Sequence, residues 1–255
     1  MTMNPATRPV ALITGASRGI GAATARVLAR QGYNLVLAAR STMALDTLVA
    51  ELTSAGTLAV AIPTDMQQID QVRSLAESAL AQFGRIDVLV NNAGMGGSGR
   101  SLLKTDASQI AELLAVNLHA PMLLTRLLLP NMVERRSGSI IFVGSVAGQM
   151  PLPGATLYGT SKFGLRGFSQ SLRREVRRYG IGVTLVAPGF IDTAMTAEMR
   201  GIPKAAPELV ARAIANAIKT PRRAVVVPWY YQAFIALDRL FPWVVEAGSK
   251  RVRGK

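Results

Sequence analysis

Val10-Ala11-Leu12-Ile13-Thr14-Gly15-Ala16-Ser17-Arg18-Gly19-Ile20-Gly21 runs from a short apolar segment into a glycine-rich turn. Val10–Thr14 reads as a buried strand, and Gly21–Gly32 as a helix that ends in glycine. The same alternation continues along the chain. Asn34–Ala39 is the next strand, Met43–Ala55 a helical stretch, and Leu58–Pro63, Ile86–Asn91, Ser139–Ser145 and Gly182–Ala187 further strands. Ala224–Pro228 adds a seventh, while Ala107–Arg135 and Leu157–Tyr179 are long helical segments. Strands that are apolar almost throughout, separated by helices, imply a parallel sheet covered on both faces. Right-handed crossovers then wind it in both directions from its middle. The spread of these segments predicts one α/β domain over residues 8–228, with residues 229–255 as a C-terminal extension.

Composition narrows the chemistry. The chain has 255 residues, 49% of them hydrophobic, enough for one substantial core. It has no cysteine, so disulfides and thiolate chemistry are excluded, and its single histidine, His119, rules out a multi-histidine metal site. No metal is expected. Met1–Pro9 lacks the apolar stretch of a signal peptide, and a cytoplasmic location is the expectation. The net charge of +14 raises nucleic acid as a partner, because lysine and arginine neutralise phosphates. Yet the basic pairs Arg135-Arg136, Arg173-Arg174, Arg177-Arg178 and Arg222-Arg223 are scattered, with no aromatic residues interleaved for stacking. The charge is read as solvated helix faces, or as attraction to anionic lipids, and no nucleic-acid partner is expected.

A glycine turn between strand and helix lets backbone N–H groups approach a pyrophosphate at the helix N-terminus. Here the spacing is Gly15-x-x-x-Gly19-x-Gly21. In that spacing, together with Asn91-Asn92-Ala93-Gly94 and Tyr158-Gly-Thr-Ser-Lys162, the chain resembles the short-chain dehydrogenase/reductase family, in its subfamily of about 250 residues. The resemblance spans residues 8–228. It implies a Rossmann-like, doubly wound sheet of about seven parallel strands with helices on both faces. It also implies a dinucleotide held by Gly15, Ser17, Arg18, Gly19, Ile20 and Gly21 in the loop. Asp65 and Met66 would lie at the adenine, and Asn92, Ala93 and Gly94 beside the adenosine pocket. Pro188, Gly189, Ile191 and Thr193 would close over the nicotinamide.

Charge selects among the dinucleotides. An enzyme for NAD usually places an acid after the second strand, on the ribose hydroxyls. This chain reads Leu37-Ala38-Ala39-Arg40-Ser41, with no carboxylate before Asp46. A guanidinium binds a 2′-phosphate with two charge-assisted hydrogen bonds, where an acid would repel it. Arg40, with Arg18 reaching from the other side, points to NADP(H).

Tyr158 and Lys162 are four residues apart and share a helix face. An ammonium beside a phenol is expected to lower its pKa from about 10 and make Tyr158 a general acid or base. Ser145, at a strand end, would hydrogen-bond a substrate carbonyl and stabilise developing alkoxide. The resemblance gives Lys162 a second task on the nicotinamide-ribose hydroxyls. It gives Asn117 a water that links the lysine to solvent. The implied reaction is reduction of a hydrophobic ketone or aldehyde, or oxidation of the matching alcohol. A dinucleotide-binding regulator or scaffold without turnover is the alternative, and such a protein has no need of the tyrosine and lysine.

The expected substrate walls are Gly94–Gly99, Gly148–Pro153 and the segment after Gly189. Met95, Met150, Leu152, Leu157, Phe190, Met195 and Met199 make them largely apolar, with Arg100 and Arg200 as cationic candidates. In the extension, Trp229, Tyr230, Ala233, Phe234, Leu237, Leu240 and Phe241 form one helical stripe opposite Gln232 and Arg239, and Lys250, Arg251, Arg253 and Lys255 follow. Asp238 and Arg239 argue against a spanning helix. The extension is expected to be a lid, an oligomer contact or a helix lying on a membrane surface. The resemblance also implies a homodimer or homotetramer, joined through the two long helical segments.

Overall fold

The computed structural model describes residues 7–96, 102–199 and 201–243. Seven parallel strands form one sheet: β1 Val10–Thr14, β2 Asn34–Ala39, β3 Ala59–Pro63, β4 Val88–Asn91, β5 Gly138–Val143, β6 Ile181–Pro188 and β7 Ala224–Val227. Their spatial order is β3-β2-β1-β4-β5-β6-β7. The chain builds outward from β1 to β3, then returns to lay β4 on the other side of β1. At that reversal the connections leave in opposite directions and open a crevice beyond the carboxyl ends of the strands. Thr14, at the end of β1, pairs with Ala38, and Ile13 pairs with Val90 of β4. Every residue singled out for ligand work on a strand end thus faces the same rim.

Alternation along each strand supplies two cores. Ala11 and Ile13 of β1, with Leu35, Leu37 and Ala39 of β2, pack on one face. Val10 and Leu12, with Val36 and Ala38, pack on the other. The first face is covered by helices α1 (Gly19–Arg30), α2 (Thr42–Ser54) and α7 (Pro207–Lys219). The second is covered by α3 (Ile69–Phe83), α5 (Ala120–Glu134) and α6 (Thr156–Val176). Both faces being buried is the reason the strands read as unbroken apolar runs.

The strands all lie within two residues of their expected bounds, and one of these small differences is useful. β5 ends at Val143, so Ser145 stands beyond the sheet as the cap of a short 3₁₀ turn, Val146–Gly148. The expected helix Ala107–Arg135 is also not uniform. It runs as α4 (Ala107–Leu114), a π-helical turn Ala115–His119, and α5. The extra residue of a π turn shifts what each face presents, and such turns gather at functional sites. This one contains Asn117. The whole segment is apolar enough to cross a bilayer by composition, at a mean hydropathy of 1.4, but Leu124, Leu128 and Met132 are buried against the sheet.

α6 is pinned to β5 by Phe142 and Phe168, whose rings meet edge-on at 5.6 Å, a contact worth about 0.5–1.5 kcal/mol beyond burial. It also approaches the 3₁₀ turn so closely that a Cβ on Gly148 would lie 2.6 Å from the Lys162 backbone. α8 (Tyr231–Leu240) follows β7 and rests against the Val146–Met150 segment.

Candidate active site

The site begins at the turn after β1. Gly15 has φ +64°, and a side chain there would meet the Ala93 backbone at 2.9 Å, so the turn and the end of β4 are in contact. Thr14 and Asn92 lock that contact. Thr14 Oγ1 accepts from the backbone N–H groups of Asn92 and Ala93, each at 3.0 Å. Asn92 Nδ2 donates to the carbonyls of Thr14 (2.9 Å) and Gly15 (3.2 Å). Asn92 and Ala93 therefore brace the loop, and Thr14 is the partner that inspection of the motif alone overlooks. Gly19 faces Thr193, whose Cγ2 would be 3.1 Å from an added Cβ, so the segment after β6 reaches over the same loop.

The start of α1 is open to an anion. Arg18 occupies its cap position in extended backbone, no side chain caps the first turn, and no acid lies in it. The uncapped N–H groups carry the positive end of the helix dipole. Arg18 and Arg40 are both exposed, and among the described residues neither guanidinium has a protein hydrogen-bond partner. Ser17 lines a cavity of about 360 Å³ with Ala22, Arg26, Met43, Leu48 and Glu51, between α1 and α2. None of the candidate catalytic side chains lines it. Asp65 folds onto its own turn, accepting from Gln67 N–H at 3.0 Å, and Met66 is buried behind it.

Across the rim, four side chains converge. Lys162 is 4% exposed, and its Nζ donates to the Val143 carbonyl at 3.1 Å and lies 5.7 Å from the Tyr158 ring centre. A Cβ on Gly94 would sit 3.5 Å from that Nζ and 3.4 Å from Asn117 Oδ1, which places Gly94, Asn117 and Lys162 around one point. Asn117 Oδ1 accepts from Met95 N–H at 2.7 Å, and its Nδ2 donates to the Met95 carbonyl (2.9 Å) and to Ser161 Oγ (3.1 Å). Both amide hydrogens are thereby engaged, tying the loop after β4 to α6. Ser161, inside the Tyr158–Lys162 spacing, and Val143 were not foreseen. Val143 acts through its carbonyl and Ser161 through its hydroxyl, in contacts that only the packed structure creates.

The electrostatics differ from expectation in one respect. The net shift of the Tyr158 phenol is upward, although a lowered value was expected. Burial raises the Tyr158 pKa, and a hydrogen bond with Ser145 offsets part of the rise. Lys162 is desolvated as well, which brings its amine down to about 8. At about 8 the amine is still mostly protonated near neutrality, and its Nζ stands 5.7 Å from the Tyr158 ring centre.

The apolar walls also meet. Met195 lies against Gly96, where its Cγ would be 3.1 Å from an added Cβ. Met150 and Leu152 pack with Val146 and with Ile235 of α8. Gly189 donates to the Val227 carbonyl at 2.8 Å and sits directly under the Tyr231 ring. Ile191 is buried in a bridge to Ala205. Arg100, Arg200, Gly97 to Gly99 and the basic residues from Lys250 onward lie outside the described residues.

Comparison with known proteins agrees with this geometry. The short chain dehydrogenase family model matches residues 9–202. A 3-oxoacyl-[acyl-carrier-protein] reductase from Synechocystis is 40% identical over 202 residues, 79% of this chain and 81% of that protein. A short-chain dehydrogenase from Sphingobium yanoikuyae, solved with NADPH, superposes with a TM-score of 0.83 at 30% identity, covering 93% of this chain and 95% of that one. A metagenomic short-chain oxidoreductase solved with NADP gives a TM-score of 0.77 at 37% identity, covering 88% and 98%. With the glycine loop, the Asn92 brace and the Tyr158–Lys162 pair on one rim of a seven-stranded sheet, the chain belongs to the short-chain dehydrogenase/reductase family.

Proposed function

We propose that this protein is an NADP(H)-dependent reductase of apolar ketones or aldehydes. The observation that carries the reading is the shared rim. Two arginines without a partner among the described residues and an uncapped helix start stand on one side of the β1–β4 switch point, and Ser145, Tyr158, Lys162 and Asn117 stand on the other. Solved neighbours contain NADP or NADPH, and the residues here suit that dinucleotide. The start of α1 would take the pyrophosphate and Arg18 and Arg40 the 2′-phosphate. Lys162 would take the ribose hydroxyls, and Pro188–Thr193 would cover the nicotinamide. When bound, the nicotinamide supplies a hydride to the carbonyl carbon.

The chain supplies the rest. The raised pKa keeps the Tyr158 phenol protonated at neutral pH, which suits a proton donor more than a base. Its proton passes to the carbonyl oxygen as that oxygen gains negative charge, leaving a phenolate. Ser145 holds the oxygen by a hydrogen bond, and Lys162 stabilises the phenolate more strongly than the phenol. Asn117 serves through the groups it holds, keeping Met95 and Ser161 in place beside Lys162. Met95, Met150, Leu152, Phe190 and Met195 favour an apolar substrate, and a 3-oxoacyl chain of the kind named for the Synechocystis relative is one such carbonyl. Assembly as a homodimer or homotetramer through α4–α5 and α6 is part of the reading, and a single monomer mass in light scattering would contradict it.

Titration with NADPH and NADH, followed by cofactor oxidation against a panel of apolar carbonyls, tests the reading. Tight NADPH binding with turnover that Tyr158→Phe abolishes is the expected result. NADPH binding with no turnover of any carbonyl would overturn it.

A further inference from the structure

The C-terminal helix is attached to the body by a narrow line of contacts. Ile235 is buried with Val146 and Met150, Tyr231 packs partly beside it, and the Tyr231 hydroxyl accepts from Phe190 N–H at 3.5 Å. Arg239 Nη2 reaches Gln149 Oε1 at 3.5 Å. The stripe expected from sequence lies on the other side and is exposed: Trp229 at 77%, Leu240 at 70% and Trp243 at 67%, with Tyr230, Phe234, Leu237 and Phe241 between them. The aromatic rings run in contact from Trp229 through Tyr230 and Tyr231 to Phe234, and again from Phe241 to Trp243. An apolar surface of this kind marks an interaction site.

We propose that this outward face of α8 docks on an anionic lipid bilayer, lying in the plane of the headgroups. Charge decides the occupant. Arg166, Arg223 and Arg239 lie near one another where α8 meets the Val146–Met150 segment, with Arg239 on Gln149 and Arg166 on the Gly148 carbonyl, at the edge of the helix away from the stripe. Asp238 is the only carboxylate between residues 229 and 243. The twelve residues from Val244 add Lys250, Arg251, Arg253 and Lys255 against Glu246 alone. In a two-fold contact between copies, this helix would face its own like and offer Asp238 as the one carboxylate of residues 229–243 to the cations. Anionic headgroups neutralise the cations, while tryptophan, tyrosine and phenylalanine suit the boundary between headgroup and acyl chain. α8 covers the Val146–Met150 segment and Phe190, so docking would hold the apolar substrate walls against the lipid. That last consequence rests on the proposed reductase reading, whereas the docking itself does not.

The two tryptophans of the chain, Trp229 and Trp243, are both on this face, so intrinsic fluorescence reports on it directly. Vesicles of phosphatidylcholine containing about one-third phosphatidylglycerol should shift the full-length protein's emission to the blue and sediment with it, and brominated lipid should quench it. Phosphatidylcholine vesicles alone should bind at least about tenfold less. Leu237→Glu, and separately the Arg223→Glu/Arg239→Glu pair, should each lower the partition coefficient by about tenfold or more, with circular dichroism unchanged. Absence of both shift and quenching for the unmodified protein, up to about millimolar lipid, overturns the proposal. So does a blue shift that follows protein concentration without lipid and disappears in Leu237→Glu, because a second copy then covers the face. Tyr158→Phe should leave vesicle binding intact, which separates failure of docking from failure of the enzymatic reading.

Discussion

The two edges of the central strands handle charge in opposite ways. At the amino edge, Asp87 gathers three partners: Val10 N–H at 2.8 Å, Arg85 at 3.2 Å and Arg135 at 2.8 Å. Arg135 also donates to the Ile86 carbonyl, so β1, β4 and the end of α5 are stitched together around one carboxylate. At the carboxyl edge, among the described residues, Arg18 and Arg40 have no such partner, and the buried Lys162 donates to the Val143 carbonyl. The same residue types hold the fold at one end and await a ligand at the other. Unpaired positive charge is tolerable at the carboxyl rim because the arginines are solvated, and because the lysine meets its desolvation cost by a lowered pKa.

The sharpest way to break this contrast is Tyr158→Phe, which should reduce kcat by about a thousandfold or more while NADPH affinity stays the same. A variant that retained full turnover would remove Tyr158 from the chemistry. Lys162→Met comes next and has two readouts. Turnover should fall, and stability should change its dependence on pH. The unfolded amine keeps a pKa near 10.4, so between about pH 8 and pH 10 the unfolded chain holds a proton that the folded chain has released. The contribution of this group to stability therefore rises with pH across that window and is lowest below it. Denaturation of the unliganded protein should show that rise, of about 3 kcal/mol at most, and Lys162→Met should flatten it.

Arg40→Ala should weaken NADPH by about 10- to 100-fold and leave NADH nearly untouched, as isothermal titration would show. Equal loss for both cofactors would place Arg40 away from the 2′-phosphate. At the opposite edge, Asp87→Asn should cost about 2 kcal/mol in chemical denaturation without altering kcat, since it removes the charge shared by Val10, Arg85 and Arg135. The smallest effect belongs to the exposed pair Arg26–Glu51, a two-bond contact at 2.7 Å whose loss in Arg26→Ala should cost about 0.2–1 kcal/mol. A large drop there would mean that the cavity beside Ser17 depends on it.

Much of this was legible before any coordinates. The run from Val10 to Gly21 carries its own instructions, because strand, turn and helix start are local events governed by residue type. Tyr158 and Lys162 were legible for the same reason, since spacing of four on a helix fixes a shared face. Less legible was the register of the long segment from Ala107. Nothing local in Ala115–His119 announces a π turn, which arises where Asn117 satisfies the Met95 backbone and Ser161. The direction of the Tyr158 shift was misjudged because spacing shows that Lys162 is near, but not that folding buries the phenol itself.

The C-terminal helix shows the same boundary from the other side. Periodicity found the stripe from Trp229 to Phe241 but could not say which way it faced, and the structure docks the helix by Tyr231 and Ile235 instead. By itself, then, the sequence determined the parallel wound sheet, the glycine loop, the cationic preference at Arg40 and the tyrosine–lysine pair, all products of short-range pattern. Tertiary structure alone decided which charges are paired, how deeply Lys162 is desolvated and which face of α8 remains open. Those depend on contacts between residues far apart in the chain, and solvation is set by the neighbours that folding brings.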